Sequence, residues 1–226
     1  MPFFIFDSSF ILLIPAFILA VWAQFKVRST YKKYMSIRSA QGISGAKAAQ
    51  YILNQNNIHN VTVEPVAGEL SDHYDPRKHV VRLSEKNYHG NSLAALTIAA
   101  HEVGHAIQHN TGYVPLQLRH SILPVTNFAS WSAFPLFIIG FFFNAPMLIN
   151  LGIIFFAAVV LFHFVTLPVE FNASSRAIKQ LENNGLLVAQ EVSSAKKVLN
   201  AAALTYVAAA AMALLQLIRL ILLSRD

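Results

Sequence analysis

The chain of 226 residues is 55% hydrophobic and only 12% charged, about half the charged fraction of an average soluble domain. It contains no cysteine, which excludes disulfides and thiolate metal sites, so any metal must be bound by histidines and carboxylates. The net charge of +6 is typical of basic loops beside membrane spans and predicts no nucleic-acid partner. The composition indicates an integral membrane protein that is embedded in a lipid bilayer.

Four apolar segments are long enough to cross a bilayer, which takes about 20 residues per helix. They are Ser9–Phe25, Ile122–Phe143, Ala145–Leu167 and Ala201–Leu223. The first has no basic region before it and no small-residue cleavage site after it, so we expect a retained anchor rather than a signal peptide. Only a short uncharged turn separates the second from the third, which predicts a transmembrane hairpin.

The distribution of positive charge predicts the orientation in the membrane. Fifteen of the 17 Lys and Arg residues fall in two polar segments, residues 26–121 and 168–200. The positive-inside rule places both segments in the cytoplasm and both termini outside, as expected in a bacterial cytoplasmic membrane. We therefore expect terminal transmembrane helices in residues 1–25 and 201–226, a hairpin in residues 122–167, and one small cytoplasmic domain that the hairpin splits in two.

Short helix and strand patterns alternate in the polar segments, which predicts an α+β domain. The predicted elements are a helix over Ala46–Leu53 capped by Ser44, strands at Val61–Val63 and His79–Leu83 with a turn at Ser71–Pro76 between them, a helix over Leu93–His109 capped by Asn91 and Ser92, a helix from Pro168 to about Glu182 that stops at Gly185, and a helix from about Val188 into the last span. Two interpretations of the strand His79–Leu83 stand. It is either an edge strand that pairs with an extended peptide or an ordinary strand of the sheet.

The stretch HEVGH, residues 101–105, carries the clearest chemical signal. Residues four apart on a helix lie on one face, so His101 and His105 are able to bind one tetrahedral metal ion together. Glu102 then lies beside the metal, where it can take a proton from the attacking water and pass it to the leaving amine. This is the HExxH pattern of zinc peptidases. The alternative is a helix with incidental histidines, but burying such a cluster among apolar residues is costly without a purpose.

Two histidines do not complete a zinc site, so a third ligand is needed. His109 follows His101 by about 12 Å along the helix axis, too far to share one ion. The metzincin pattern requires a histidine where this chain has Thr111. The later aspartate of site-2 intramembrane proteases is also missing, because the only Asp beyond His105 is Asp226. The remaining candidates are Glu170, Glu182, Glu191, His120 and His163.

Glu170 is the preferred third ligand. It follows the third apolar segment and opens the helix predicted from Pro168. Because two spans separate it from His105, the chain returns it to the same side of the membrane. Ser174, one turn further on, is placed to hydrogen-bond a ligating histidine. The alternative for Glu170 is an acidic residue that stabilises the N-terminus of its helix.

Two stretches that flank the hairpin, HEVGHAIQH and LPVEFNASSRA, resemble the YugP-like family of membrane neutral zinc metallopeptidases. SDHYDPRKHVVRLS and VLNAAALTY match as well, so the likeness covers nearly the whole chain. HtpX-type membrane proteases are more distantly similar. On that comparison Glu170 takes the place of their Glu ligand, Phe171 that of the aromatic residue and Ser174 that of an aspartate, which orients a histidine more strongly than serine does. The resemblance implies Zn²⁺ as the cofactor and a mainly α membrane protein with a zincin-like, gluzincin-type domain.

The sequence therefore predicts a membrane-embedded, zinc-dependent endopeptidase with Glu102 as general base and acid. Its substrates would be unfolded or membrane-associated polypeptides at the cytoplasmic face. The alternative is a non-catalytic membrane adaptor or chaperone in which zinc only ties the split domain together. Glu102 favours the enzyme, because structural zinc sites have four protein ligands and need no adjacent base. A transport protein is the weakest interpretation, since the spans contain few polar residues.

Zinc peptidases also use a donor that stabilises the oxyanion of the tetrahedral intermediate. Five residues of suitable chemistry lie in the polar segments, and their positions in the sequence do not rank them. They are Arg176, His73, Tyr88, His89 and Tyr113.

Overall fold

The computed structural model describes residues 8–225. Residues 1–7 and Asp226, the two ends of the predicted terminal transmembrane segments, lie outside the described residues. The helices of the described chain, after a short 3₁₀ turn at Ser8–Leu13, are α1 (Ile14–Met35), α2 (Gly45–Gln55), α3 (Glu85–His89), α4 (Leu93–Asn110), α5 (Val114–Phe142), α6 (Pro146–Asn183) and α7 (Ala189–Leu223). The strands are β1 (Thr62–Val66), β2 (His73–Asp75) and β3 (Val80–Ser84). The prediction of a mainly helical protein with a small sheet is confirmed.

Four long helices, α1 with the 3₁₀ turn before it, α5, α6 and α7, are apolar and long enough to cross a membrane. The prediction of four spans is thus confirmed for the described residues by length and composition. Each helix continues beyond the predicted apolar segment into the neighbouring polar sequence. In particular, α7 begins at Ala189 and runs without a break into the last span, as predicted.

Pro168 does not begin a helix, so that prediction was wrong. Helix α6 runs through it from Pro146 to Asn183. A proline inside a helix removes one backbone donor, but prolines are tolerated in spanning helices because neighbouring groups satisfy the freed carbonyl. Glu170 therefore lies in the interior of α6. It cannot be a stabilising acid of the first helical turn, which was the alternative to its role as a ligand.

The described chain forms two compact units. One unit comprises the described residues up to Gln24, residues 117–168 and the residues from Leu204 onward. Within it the backbones of α5 and α6 touch, since a Cβ added at Gly152 would lie 2.8 Å from the carbonyl oxygen of Ala133. Such close packing at small residues is typical of membrane helices. Large apolar side chains, among them Trp131 and Met147, are exposed on this unit, as expected of surfaces that contact lipid.

The second unit comprises residues 25–116 and 169–203 and contains the sheet. Strand β3 is central, parallel to β1 on one side and antiparallel to β2 on the other. The interpretation of His79–Leu83 as an edge strand is therefore wrong. The predicted turn at Ser71–Pro76 is corrected too, because it contains β2. Asp75 at the end of β2 accepts hydrogen bonds from the backbone N–H groups of Arg77 and Lys78, so the turn follows this strand instead of replacing it.

The predicted helix caps at Ser44 and Ser92 are confirmed. Ser44 accepts a hydrogen bond from the Lys47 N–H at the start of α2, and Ser92 accepts one from Ala95 at the start of α4. Helix α6 ends just before Gly185, whose φ of 65° is readily adopted by glycine. Helix α4 is buried along most of its length, against α2, α3 and the sheet. This packing fixes the position of the HEVGH stretch.

Candidate metal centre

Helices α4 and α6 bring three potential metal ligands together. The Oε2 atom of Glu170 lies 3.4 Å from Nε2 of His101 and 3.6 Å from Nε2 of His105. One donor atom from each residue lies within 4.8 Å of the other two. The three side chains are largely buried, with 14%, 11% and 4% of the His101, His105 and Glu170 side chains exposed. All three belong to the second compact unit.

The chemistry and spacing of these donors fit zinc. Two imidazole nitrogens and one carboxylate oxygen form a donor set found in catalytic zinc sites. Ligand atoms bound at about 2.0–2.1 Å to a tetrahedral ion are about 3.3 Å apart, close to the two distances from Glu170. Three protein donors also leave a fourth position for water or substrate, as a catalytic site requires. His101, His105 and Glu170 are thus positioned to hold one zinc ion.

The second ring nitrogen of each histidine also has a polar neighbour. Ser174 Oγ lies 3.3 Å from His101 Nδ1, the placement expected if Ser174 orients this ligand. Gln108 Oε1 lies 3.0 Å from His105 Nδ1. Gln108 was not predicted from the sequence, although its spacing of three residues from His105 on a helix was a usable signal. Polar neighbours of this kind commonly fix the orientation of metal-ligating histidines.

Glu102 is buried beside the three potential ligands. Burial raises the pKa of its carboxyl, an effect that the neighbouring His101 and His105 oppose and the negative charge of Asp72 reinforces. Burial by itself would lower the pKa of His105, but the hydrogen bond and charge of Glu170 outweigh it and leave that pKa above its usual value. The ionisable groups of this cluster are therefore strongly coupled, as is common at functional sites.

The residues suggested as oxyanion donors lie in different parts of the second unit. Arg176 donates from Nε to Asn172 Oδ1 at 2.8 Å, and its guanidinium lies over the Tyr113 ring. His73 on β2 hydrogen-bonds the Ser71 carbonyl. The other two, Tyr88 and His89, contact each other on α3. The oxyanion role of all five residues stays a prediction.

Comparison with known proteins agrees with the site. The family model described as "Putative neutral zinc metallopeptidase" matches residues 9–225. The chain belongs to this family. It is also 50% identical, over 212 residues that make up 94% of each chain, to a protein of Bacillus subtilis (strain 168) named "Putative membrane protease YugP". No solved structure matches the chain. Membership of this zinc metallopeptidase family confirms the resemblance seen in the sequence and identifies zinc as the ion that the donor set fits.

Proposed function

We propose that the protein is a membrane-embedded zinc endopeptidase whose second unit is a zincin-like domain. The observation that carries the proposal is the convergence of His101, His105 and Glu170, with Glu102 buried next to them. A purely structural zinc site has four protein ligands. This site offers three, together with a carboxylate that follows a ligand directly in the chain. That combination favours a catalytic centre.

Zinc bound by these three residues would supply a Lewis acid that polarises the scissile carbonyl and makes a nearby water more acidic. Glu102 accepts a proton from that water while the water oxygen forms a bond to the carbonyl carbon. When the C–N bond breaks, Glu102 returns the proton to the leaving amine nitrogen. Ser174 and the buried surroundings of the histidines keep the two imidazoles in place during these steps.

We propose that the substrate binds in extended form along β2. With β3 central in the sheet, β2 is the edge strand on the side where α4 packs, as shown by the 2.8 Å contact between the Tyr74 hydroxyl and His109 Nδ1. An edge strand binds a peptide through main-chain hydrogen bonds with little demand on sequence. This mode suits unfolded polypeptides and unfolded segments of membrane proteins.

We further propose that the centre acts at the cytoplasmic face of a bacterial membrane. The charge distribution supports this side, since the segments that contribute the ligands contain most of the Lys and Arg residues of the chain. The substrates would accordingly be polypeptides in the cytoplasm or emerging from the membrane.

The test compares wild type with Glu102→Gln in detergent, by zinc analysis and by hydrolysis of a casein-type unfolded substrate. Glu182→Gln, an exposed glutamate further along α6, is the matched control. We expect all three proteins to retain zinc and only Glu102→Gln to lose proteolysis. Wild-type protein that binds zinc but cleaves nothing would instead favour the non-catalytic adaptor. Equal proteolysis by wild type and Glu102→Gln would refute the mechanism.

A further inference from the structure

Gln108 is a fully buried amide between α4 and α6. Its Oε1 atom lies 3.0 Å from His105 Nδ1. Its Nε2 atom donates to the Val169 carbonyl at 2.8 Å and to Asn172 Oδ1 at 3.0 Å. Three hydrogen bonds converge on one side chain that the catalytic proposal does not use, and they link a metal ligand to the helix that carries Glu170.

Arg176 determines the direction of these hydrogen bonds. A guanidinium can only donate, so the Asn172 atom that faces Arg176 Nε at 2.8 Å must be the amide oxygen. The guanidinium is itself held over the Tyr113 ring, 5.9 Å from its centroid. The same Asn172 oxygen faces Gln108. Since that oxygen accepts, Gln108 has to present its NH₂ group to it.

This orientation of Gln108 determines which nitrogen of His105 carries the proton. The Val169 carbonyl, which can only accept, holds the Gln108 NH₂ group in the same direction. Gln108 Oε1 therefore faces His105 Nδ1 as an acceptor, and Nδ1 must be the protonated nitrogen. Nε2, which lies 3.6 Å from Glu170 Oε2, is then left with its lone pair directed at the metal position.

We propose that Arg176, Asn172 and Gln108 form a chain of positioning residues that fixes the tautomer and ring orientation of His105 for zinc binding. The proposal rests on the zinc site of the proposed function and goes beyond it, because it gives Arg176 a role different from that of an oxyanion donor. His101 has Ser174 as the corresponding neighbour, at the longer distance of 3.3 Å. The two histidine ligands are thus oriented by chemically different neighbours, and the amide at His105 is itself held by further partners.

The experiment measures the zinc dissociation constant of the full-length protein in detergent by competition with a chromophoric chelator. Gln108→Met keeps the size of the side chain and removes all three hydrogen bonds. Asn172→Asp keeps an acceptor facing both Arg176 and Gln108, so it preserves the direction of the hydrogen bonds. Arg176→Met removes only the donor that imposes this direction. Gln180→Met is the matched control, because Gln180 exchanges two amide hydrogen bonds with Asn56 away from the ligands.

We expect Gln108→Met to weaken zinc binding about 10–100-fold, the usual effect of losing a neighbour that orients a ligand. Arg176→Met should weaken it less, since the Val169 carbonyl still holds Gln108, and Asn172→Asp and Gln180→Met should bind like wild type. In the Co²⁺-substituted protein, proton NMR should show a slowly exchanging, paramagnetically shifted Nδ1–H of His105. That signal should persist in Asn172→Asp and exchange rapidly in Gln108→Met.

Wild-type zinc affinity in Gln108→Met or Arg176→Met would overturn the proposal, as would an equal loss in Asn172→Asp and Gln108→Met. A loss in Gln180→Met as large as that in Gln108→Met would overturn it too, because the effect would then come from helix packing. Zinc binding that follows the expected pattern in a protein without proteolysis would refute the proposed function and leave the positioning chain intact. Wild-type protein that binds no zinc would refute both.

Discussion

The backbone of Gly104 lies against the carbonyl of Ala173, so closely that a Cβ added at Gly104 would be 2.7 Å from the Ala173 oxygen. Gly104 precedes His105 on α4, and Ala173 lies between Glu170 and Ser174 on α6. The glycine of the HEVGH stretch thus allows the two helices to touch at the level of the three potential metal ligands. Any side chain at this position would push apart the elements that form the site.

We predict that Gly104→Ala both destabilises the protein and weakens its zinc binding. Alanine favours a helix over glycine by about 1 kcal/mol, but overpacking against a backbone atom costs about 1–3 kcal/mol, so a net loss is expected. Thermal unfolding in detergent and the zinc dissociation constant measure the two effects. Adding Ala173→Gly should not restore either, since the close contact is with the backbone oxygen. Gly104→Ala with wild-type stability and affinity would contradict the observed contact.

Asp72 joins the start of β2 to β3 and α3 through three hydrogen bonds. It accepts from the N–H and hydroxyl of Ser84 and from the Asn87 amide, and both of these partners are buried. We predict that Asp72→Ala lowers the free energy of unfolding by about 3 kcal/mol or more, because each of the three buried donors left without an acceptor costs about 1–3 kcal/mol. Chemical denaturation in detergent measures this loss.

Glu64→Ala is the control for Asp72→Ala. Glu64 is an exposed carboxylate that pairs with Arg82 at 3.7 Å, and exposed pairs contribute about 0–1 kcal/mol. Similar losses in the two variants would show that the hydrogen bonds of Asp72 contribute no more than a surface charge does.

Tyr74 gives a prediction on pH. Burial, and to a smaller extent the charge of Asp75, raise the pKa of Tyr74 from its usual 10.0 to about 12. Because the folded protein keeps this proton longer than the unfolded chain does, the stabilisation is complete below pH ~10 and is lost as the pH rises towards 12. The difference in tyrosinate absorbance between wild type and Tyr74→Phe should therefore titrate near pH 12. A difference that titrates near pH 10 would show that Tyr74 is solvated in the folded state.

The helix that carries the histidines could be predicted from sequence because its signals are local. The Ser92 side chain caps α4 by accepting a hydrogen bond from the N–H of Ala95, only three residues further along the chain. The four-residue spacing of His101 and His105 places them on one face of the helix without any tertiary information. The choice of Glu170 rested on the two spans between it and His105 and on its place directly after the third apolar segment. Its convergence with the histidines is the part of the predicted site that the geometry supports.

The strand β2 could not be predicted because it has only three residues, His73–Asp75. An alternating pattern needs about four residues to be recognised, and β2 is defined by its pairing with β3 instead of by its own sequence. Likewise, Pro168 indicates a helix start by local rules, whereas the long apolar helix around it continues through the proline. Both errors arose where tertiary context outweighs a local signal.

Gln108 escaped prediction for a different reason. A glutamine on a helix is usually a solvated residue, and only the approach of Val169 and Asn172 from α6 shows that this one is enclosed. Those partners lie more than 60 residues away in the sequence. Contacts at such separation have no local signature. The spacing of Gln108 from His105 could indicate a contact with the histidine, but not the partners on α6 that enclose the amide.

The zinc content of Glu170→Ala tests the central claim most directly. Glu170 and Glu182 lie on the same helix, the first buried among the histidines and the second exposed, so Glu182→Ala is a matched control. Metal analysis of the purified proteins, after dialysis against a weak chelator, should find about one zinc per chain in wild type and Glu182→Ala, as expected for a single three-ligand site. Glu170→Ala should lose most of it. Undiminished zinc in Glu170→Ala would contradict the assignment of Glu170 as the third ligand.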